Sequence, residues 1–162
     1  MENKVFEVFD ELGIKYRDIK HPALYTCADN DKYNLRFDGV VCKNLFIRNK
    51  SKRNYYLVSL PVDKRLDLKL LQEKLCEKKL SFASEEELWE KLMIKPGAVS
   101  LLNVVNASKT GVIFIVDRSV LNGDKVGFHP NVNTHTVLFS VKDIVKILNY
   151  YQVKYDFLDI FK

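Results

Sequence analysis

The sequence predicts an α+β fold: a single domain, residues 1–162, in which helices surround a mixed, mainly antiparallel and barrel-like β-sheet. Three observations lead to this prediction. Stretches with strand-like alternation are interleaved with amphipathic helical stretches, they follow no regular βαβ repeat, and several strand pairs are joined by connections too short for a parallel crossover. The length of 162 residues fits one domain, and no repeat or flexible linker divides it.

Periodicity and capping residues predict the individual elements. Apolar residues three or four apart indicate helices, whereas strict alternation indicates strands. Ser84 and Glu87 form a capping-box pattern, and Asp67 can cap another helix. In chain order we expect a helix over residues 5–12, strands over 14–19, 39–48 and 55–60, helices that begin at Asp67 and Ser84, strands over 100–105, 111–117, 125–128 and 134–140, a helix over 141–151, and an edge strand over 153–158.

The same patterns predict which side chains of two helices face the core. The helix that begins at Ser84 should end at Lys95-Pro96-Gly97, because proline and glycine do not continue a helix. The side chains expected to be buried are Leu88, Trp89 and Leu92 in that helix, and Ile144, Val145 and Leu148 in the last one.

Composition and motifs exclude several classes of protein. The chain is 47% hydrophobic and 29% charged, which is ordinary for a soluble globular protein. It contains no run of 18 apolar residues and no basic, apolar leader, so we expect a cytoplasmic protein without a membrane partner. Neither a Gly-x-Gly-x-x-Gly nor a Walker loop is present, so we expect no nucleotide cofactor.

The cysteines and histidines do not form a recognisable metal or disulfide pattern. Cys27, Cys42 and Cys76 are odd in number and far apart, and the histidines lack a close carboxylate or cysteine partner. We therefore expect no metal and cysteines that pack as small apolar side chains. An alternative for Cys42 is a reactive thiol, because the adjacent Lys43 would favour the thiolate.

The basic residues are unevenly distributed. The net charge is +5, and one stretch between Gly39 and Val62 contains no acid. This favours either a polyanionic partner or a solvated hairpin face, and the charge alone does not decide between them. The basic residues that lie close together there are Lys43, Arg48, Lys50, Lys52 and Arg53.

Three short segments could carry chemistry. Lys43 and Asn44 begin an apolar strand, where a lysine either points to solvent or lines a cleft. Segment 95–100 has small residues after a helix, and its amides could hold an oxyanion or simply end the helix. Segment 127–136 holds two histidines, two asparagines and two threonines. His129 there could donate to a ribose hydroxyl, position a water, act as acid or base, or only cap backbone groups.

With their neighbours, these segments resemble the YbaK/prolyl-tRNA synthetase-associated editing domain family, and within it the free-standing PrdX/ProXp-ala branch. The resemblance runs nearly end to end, from about Leu12 to Leu158. The matching stretches are His21-Pro22-Ala23, Tyr25-Thr26, CKNLFIR at 42–48, YYLV at 55–58, LSFAS at 80–84, KPGAVS at 95–100, GFHPN at 127–131 and Asn133-Thr134.

The resemblance implies a trans-editing deacylase that hydrolyses the ester of mischarged Ala-tRNA(Pro). Water would be positioned by the pocket and the substrate, without a metal or a cofactor. The acceptor end of the tRNA would be the partner, with prolyl-tRNA synthetase or an elongation factor as transient partners. Two alternatives remain open: a deacylase for another misacylated tRNA, such as Cys- or Ser-tRNA, and a non-catalytic tRNA-binding module of the same fold.

The resemblance also implies roles for individual residues. Lys43 and His129 would be catalytic, and Asn44 would lie next to Lys43 in the pocket. The residues expected to bind substrate are Thr26, Asn44, Gly97, Ala98, Val99, Ser100 and Asn131. The residues expected to contact the tRNA backbone are Arg48, Lys50, Lys52 and Arg53.

The chain departs from the family in the loop that would cradle the aminoacyl end. The family often has Gly-Ser-Val-Ser-Pro where this chain has Ala98 in place of the first serine and Leu101 in place of proline. Ala98 lacks a hydroxyl that could form a hydrogen bond, and the loss of proline should loosen the loop. Both changes bear on substrate selectivity.

Overall fold

A computed structural model describes residues 2–22 and 39–161, and in them it contains five α-helices and eight strands. The helices are α1 (Glu2–Glu11), α2 (Leu68–Lys74), α3 (Glu85–Leu92), α4 (Val104–Ala107) and α5 (Asp143–Tyr150). The strands are β1 (Tyr16–Lys20), β2 (Val40–Asn49), β3 (Tyr55–Pro61), β4 (Leu80–Phe82), β5 (Ile113–Asp117), β6 (Lys125–Phe128), β7 (His135–Ser140) and β8 (Tyr155–Leu158).

The described strands form one mixed sheet in the order β1-β7-β6-β2-β3-β5-β8, with β4 paired to β2. Four pairings are antiparallel, and the pairings β2–β6, β3–β5 and β5–β8 are parallel. This confirms the mixed, mainly antiparallel sheet with helices around it. The pairing order runs from β1 to β8 without closing, so the barrel-like closure that we expected is not formed by these strands.

One face of the sheet carries the larger hydrophobic core. Alternate residues of the central strands point into it, among them Phe46 of β2 and Leu57 of β3. The helices α1, α3, α4 and α5 cover this face with apolar side chains such as Phe9, Leu92 and Ile147. The strict alternation of β2 therefore decides which of its residues are available for the opposite face.

The opposite face is covered at one end by a smaller cluster. Ile47 of β2, Val58 of β3 and Ile115 of β5 pack there against Leu71 of α2 and Ile160 near the C-terminus. All seven residues of β3 are buried because both faces of this central strand are covered. None of the helices that the structure describes is long and apolar enough to cross a lipid bilayer.

The predicted elements are mostly confirmed, but the strand over 100–105 is wrong. Those residues form a 3₁₀ turn over Leu101–Asn103 followed by α4. Ser100 caps the turn, since its Oγ accepts from the Leu102 amide while the Asn103 side chain accepts from the Ser100 amide. A short apolar run is compatible with a buried helix as well as a strand, and here the local caps favour the helix.

Two predictions about helix faces also need correction. Trp89 is 58% exposed, because α3 buries Leu88 and Leu92, which are four residues apart, and Trp89 lies off that stripe. In α5 the fully buried position is Ile147 rather than Val145, for the same reason. Helix α3 also ends earlier than expected, at Leu92, where Met93 adopts the left-handed conformation with φ of 57°.

A hydrogen-bonded carboxylate joins β2, β3 and α3. Glu87 completes the predicted capping box with Ser84, and it also accepts from Tyr55 Oη and from Arg48 Nε, the latter at 3.2 Å. Burial by itself would raise the pKa of Glu87, but hydrogen bonds from Tyr55, Ser84 and Arg48 outweigh it and lower the pKa to about 2. Glu87 is therefore ionised in the folded protein and connects the helix to the hairpin.

Replacing Glu87 with glutamine should lower stability most near neutral pH and least in acid. The folded pKa of about 2 lies below the ordinary 4.5, so the carboxylate contributes stability that is fully present above about pH 4.5 and is lost as the pH falls towards 2. Urea unfolding between about pH 6 and 3 should show a difference from wild type that shrinks with falling pH. Glu90→Gln, an exposed change on the same helix, is the control, and a pH-independent loss in Glu87→Gln would contradict the assignment.

Candidate active site

The parallel pairing of β2 with β6 brings together two residues that the sequence singled out. Val41 lies opposite Gly127 in this ladder. Two residues further along the same register, Lys43 comes opposite His129, just past the end of β6. Residues two apart on a strand face the same way, and neighbouring strands are about 4.8 Å apart. Lys43 and His129 therefore follow Val41 and Gly127 on a single face.

We call this surface the site face, defined by Val41, Lys43, Gly127 and Thr136. Its strands approach closely at Gly127, where a Cβ atom would lie 3.0 Å from Leu138 Cδ2 and 3.2 Å from Thr136 Cγ2. The same Cβ would lie 3.6 Å from Val41 Cγ2, which confirms that Val41 and position 127 share a face. Glycine at this position permits the close packing of β2, β6 and β7.

Asn44 lies on the other face of β2 from Lys43, so the predicted neighbourhood of these two side chains in one pocket is not formed. Asn44 shares its face with Cys42 and Phe46, which belong to the larger core. Its Oδ1 accepts from Ser59 Oγ at 2.6 Å and from the Leu101 amide at 3.1 Å. Asn44 thus ties loop 97–101 to β2 and β3.

The hydrogen bond between Asn44 and the Leu101 amide bears on the expectation that losing proline loosens the loop, which stays a prediction. Leu101 stands where the family often has proline, and its amide proton makes the bond to Asn44 that a proline could not make. Leu101 is fully buried, and Ala98 packs in the core with 8% exposure. The loop is therefore fastened by a side-chain acceptor.

Loop 97–101 is connected to the segment after β6 by two asparagines. Asn103 accepts from the Ser100 amide at 2.7 Å and donates to Ala98 O and to Asn131 Oδ1, the latter at 2.6 Å. Asn131 is 5% exposed with φ of 67°, and its Nδ2 is buried without a hydrogen-bond partner. Gly97 begins the loop at φ of 92°, a conformation that favours glycine.

His129 is held as a neutral imidazole with a defined tautomer. Its Nδ1 lies 2.8 Å from the His135 carbonyl, which can only accept, so Nδ1 carries the proton and Nε2 presents a lone pair. Burial lowers the pKa of His129 below its usual 6.5, and repulsion from His21 acts in the same direction, although the His135 carbonyl opposes them. A neutral His129 can accept a proton or a hydrogen bond at Nε2.

The site face also contains residues that sequence reasoning did not assign. The His21 ring lies 6.0 Å from the His129 ring, and its Nε2 lies 2.8 Å from Thr136 Oγ1. His21 falls in a stretch that matches the family and Thr136 in the polar segment 127–136, so the sequence already pointed to both stretches. Ser59 and Asn103 gave no such signal, because each is a single polar residue in an apolar stretch.

The basic hairpin is divided by the structure. Arg48 pairs with Glu87 at 3.1 Å and is mostly buried, so its charge is compensated and the predicted contact with the tRNA backbone loses its physical basis. Lys50, Lys52 and Arg53 are exposed in the turn between β2 and β3. Asn54 donates to Glu77 at 3.3 Å, which brings the exposed residues that follow Glu77 close to this turn. They are Lys78 and Lys79.

The remaining sequence predictions concern cysteines and one threonine. Cys42 packs in the core as expected, and burial followed by the nearby Asp117 raises the pKa of its thiol, which disfavours the reactive-thiol alternative. Cys76 is exposed, so the expectation that it packs as a small apolar side chain is wrong. Thr26, predicted to bind substrate, lies outside the described residues, as does Cys27. In residues 2–22 and 39–161, no three His, Cys, Asp or Glu side chains are grouped as a metal ion would require.

Sequence comparison identifies the family. The aminoacyl-tRNA editing domain profile matches residues 21–147, which include both strands of the site and the segment after β6. The chain belongs to the aminoacyl-tRNA editing domain family. This editing domain is a hydrolase of the ester bond in aminoacyl-tRNA, as the resemblance implied.

Relatives of this editing domain span similar lengths. The prolyl-tRNA editing protein ProX of Acetoanaerobium sticklandii is 38% identical over 144 residues, covering 89% of this chain and 88% of ProX. The mouse prolyl-tRNA synthetase associated domain-containing protein 1 is 31% identical over 138 residues, covering 83% and 81%. A solved structure of a proposed trans-editing enzyme for prolyl tRNA synthetase has a TM-score of 0.74 at 17% identity, covering 99% and 96%, and shows the same fold.

Removing the Asn44 amide should destabilise the domain and free the loop. Asn44→Ala would leave the fully buried Ser59 hydroxyl and the Leu101 amide without their acceptor, at a cost of about 1–3 kcal/mol. Chemical denaturation measures this loss. In the double variant Asn44→Ala/Ser59→Ala the loss should be smaller than the sum of the two single losses, because the variants remove one shared bond. If the two single losses of stability simply add in the double variant, the shared hydrogen bond between Asn44 and Ser59 is contradicted.

Proposed function

We propose that this chain is a trans-editing deacylase that hydrolyses mischarged Ala-tRNA(Pro) in the cytoplasm. The observation that supports the proposal is the parallel register of β2 and β6, which would set Lys43 beside His129 if it is continued two residues past its last pair. Burial lowers the pKa of His129, which favours the neutral imidazole. The family and the relatives that carry prolyl-tRNA editing in their names support the same reaction class. Prolyl-tRNA synthetase or an elongation factor as a transient partner stays a prediction.

In this proposal His129 orients the reacting groups at the end of the tRNA. Its Nδ1 proton is committed to the His135 carbonyl, so Nε2 can accept a hydrogen bond from a ribose hydroxyl or from the attacking water. Water adds to the ester carbonyl, the bond to the ribose oxygen breaks, and that oxygen leaves as a hydroxyl. Aminoacyl esters are labile, so orientation of water and ribose can supply most of the acceleration.

Lys43 would supply the positive charge beside His129. Its ammonium can contact the phosphate of the terminal adenosine or the oxyanion that develops on the ester carbonyl. Gly97 and Val99 of loop 97–101 would hold the aminoacyl end. The predicted role of Ser100 is not kept, because Ser100 is fully buried and its amide and hydroxyl are bonded to Asn103 and Leu102. The buried, unpartnered Nδ2 of Asn131 is a further donor next to this loop, since an unmade bond there is costly.

The size of alanine supports it as the target. A synthetase site for proline discriminates against a smaller amino acid by only about 1–3 kcal/mol per methylene, so a second site that excludes proline by size is useful. Cys- and Ser-tRNA carry side chains only slightly larger than alanine, and they are the alternative substrates. A non-catalytic tRNA-binding module is the alternative outside the enzyme class.

A panel of charged tRNAs tests the proposed reaction. Wild-type protein should deacylate Ala-tRNA(Pro) faster than Cys- or Ser-tRNA and leave Pro-tRNA(Pro) intact. Lys43→Ala and His129→Ala should each lower the deacylation rate by about 10²-fold, the scale of one positioned catalytic group. Release of labelled amino acid measures the rate, and Lys109→Ala, an exposed change distant in sequence from both residues, is the control.

The panel separates the alternatives. A preference for Cys- or Ser-tRNA would replace the alanine assignment but keep the site. Binding of all tRNAs with no rate above spontaneous hydrolysis would favour the non-catalytic module. Wild-type rates in both Lys43→Ala and His129→Ala would contradict the proposed site.

The hairpin turn is proposed to bind the acceptor stem. Lys43 and Lys50 are seven residues apart on and just after β2, which corresponds to about 23 Å at ~3.3 Å per residue. A terminal adenosine at Lys43 would leave base-paired phosphates of the acceptor stem at such distances. The exposed charges of Lys50, Lys52 and Arg53 suit these phosphates, and Arg48 does not contribute because it is paired with Glu87.

Removing the three hairpin charges should weaken tRNA binding and reduce its salt dependence. Each lost phosphate contact lowers the slope of log K against log salt by about 0.7–0.9, so Lys50→Gln/Lys52→Gln/Arg53→Gln should lower it by about 2–3. Binding titrations between about 50 and 200 mM salt measure the slope. The matched control, Lys109→Gln/Lys146→Gln/Lys154→Gln, removes the same charge from exposed positions, and an equal loss in both would contradict a specific hairpin contact.

A further inference from the structure

The site face holds a second imidazole to which neither the sequence nor the proposed function assigns a role. His21 follows β1 directly and is 9% exposed. Its backbone amide donates to the Thr134 carbonyl at 2.9 Å, which anchors the residue to the segment before β7. Its ring lies 6.0 Å from the His129 ring, with an interplanar angle of 61°. Because His21 lies this close to His129, its hydrogen bonds bear on which groups can reach the His129 ring.

The hydrogen bonds of His21 fix the direction of each proton. Nδ1 lies 2.8 Å from the Pro22 carbonyl, which can only accept, so Nδ1 of a neutral His21 carries the proton. Nε2 then accepts, and its partner at 2.8 Å is Thr136 Oγ1. The single hydroxyl proton of Thr136 is therefore used in the bond to His21, and only lone pairs of this oxygen remain.

Thr136 would be the cross-strand neighbour of His129 if the β6–β7 register is continued by one residue. In the antiparallel ladder Phe128 lies opposite Val137, so the next step of the register sets His129 opposite Thr136. Opposed side chains have Cβ atoms about 4.5–5.5 Å apart, a distance over which a rotated hydroxyl can reach a ring nitrogen. A Thr136 proton released from His21 could thus bind the lone pair on His129 Nε2. Among the residues that the structure describes, the titratable groups near His129 are His21 and His135, with Lys43 by the extended register.

We propose that His21 is a positioning residue of the active site: it accepts the Thr136 hydroxyl proton and so keeps the Nε2 lone pair of His129 free for the substrate or water. The inference rests on the proposed deacylase function for its kinetic consequence. Its structural content, the direction of the Thr136 hydroxyl, does not depend on which substrate is bound. His21 itself touches no reacting atom in this proposal.

Substitutions at His21 and Thr136 test whether His21 positions the Thr136 hydroxyl. His21→Phe retains the ring volume but removes the acceptor, and kcat should fall about tenfold while KM for the tRNA changes less than about twofold. His21→Gln can present Oε1 near the position of Nε2, and it should retain kcat within about threefold. The double variant His21→Phe/Thr136→Val removes the competing hydroxyl and should recover most of the lost kcat.

Several outcomes would overturn the proposal. They are a wild-type kcat in His21→Phe, a His21→Gln variant as impaired as His21→Phe, and no recovery in the double variant. Thermal unfolding checks that each variant is folded. If His21→Phe is not folded, His21→Asn replaces it, because asparagine can keep the donor to Pro22 while lacking the acceptor for Thr136.

A measurement without substrate separates this inference from the proposed function. The ¹⁵N chemical shift of His129 Nε2 in the free protein should move to a hydrogen-bonded value in His21→Phe and return in His21→Phe/Thr136→Val. An unchanged shift would overturn the positioning role. A wild-type protein that deacylates none of the tRNAs, yet shows these shifts, would overturn the proposed function and leave the role of His21 in directing the hydroxyl intact.

Discussion

The proposed active site depends on the short parallel pairing between β2 and β6, which joins the two parts of the sheet. Gly127 lets these strands and β7 approach, since even one added carbon would lie 3.0 Å from Leu138. The register of this pairing then determines which residues of β2 and β6 lie side by side on the site face. It sets Val41 beside Gly127, and the same register continued by two residues would set Lys43 beside His129. Displacing the ladder by one residue would turn Lys43 towards the core and separate it from the imidazole.

The two faces of β2 have different tasks. The residues on the core face are structural: Asn44 fastens loop 97–101 and Arg48 holds the carboxylate of Glu87. The residues on the opposite face begin with Lys43 at the site and continue into the smaller hydrophobic cluster at Ile47. Both anchors act on β2 through its core-face residues, so they can hold the strand in place while Lys43 lies on the opposite face.

Chemically, the site relies on orientation and neutrality. His129 is half-buried, its lowered pKa favours the neutral form, and its tautomer is set by a backbone carbonyl that no substitution of a side chain removes. His21 has the same tautomer for the same reason, since its Nδ1 faces the Pro22 carbonyl. In our proposal the Nε2 lone pair of His129 orders a ribose or a water, His21 accepts the Thr136 hydroxyl proton, and Lys43 would bring a positive charge. An ester as labile as that of aminoacyl-tRNA suits such a site.

The sequence by itself determined the α+β class, most element boundaries and the family, because periodicity, capping pairs such as Ser84 with Glu87, and ordered motifs are local signals. It also singled out Lys43 and His129. The tertiary structure alone decided which faces these residues occupy. It moved Asn44 to the opposite face, neutralised Arg48 and brought His21 to His129. The physical reason is that a strand's period of two specifies alternation but not its partner or register, and contacts such as His21 with Thr136 join residues 115 positions apart.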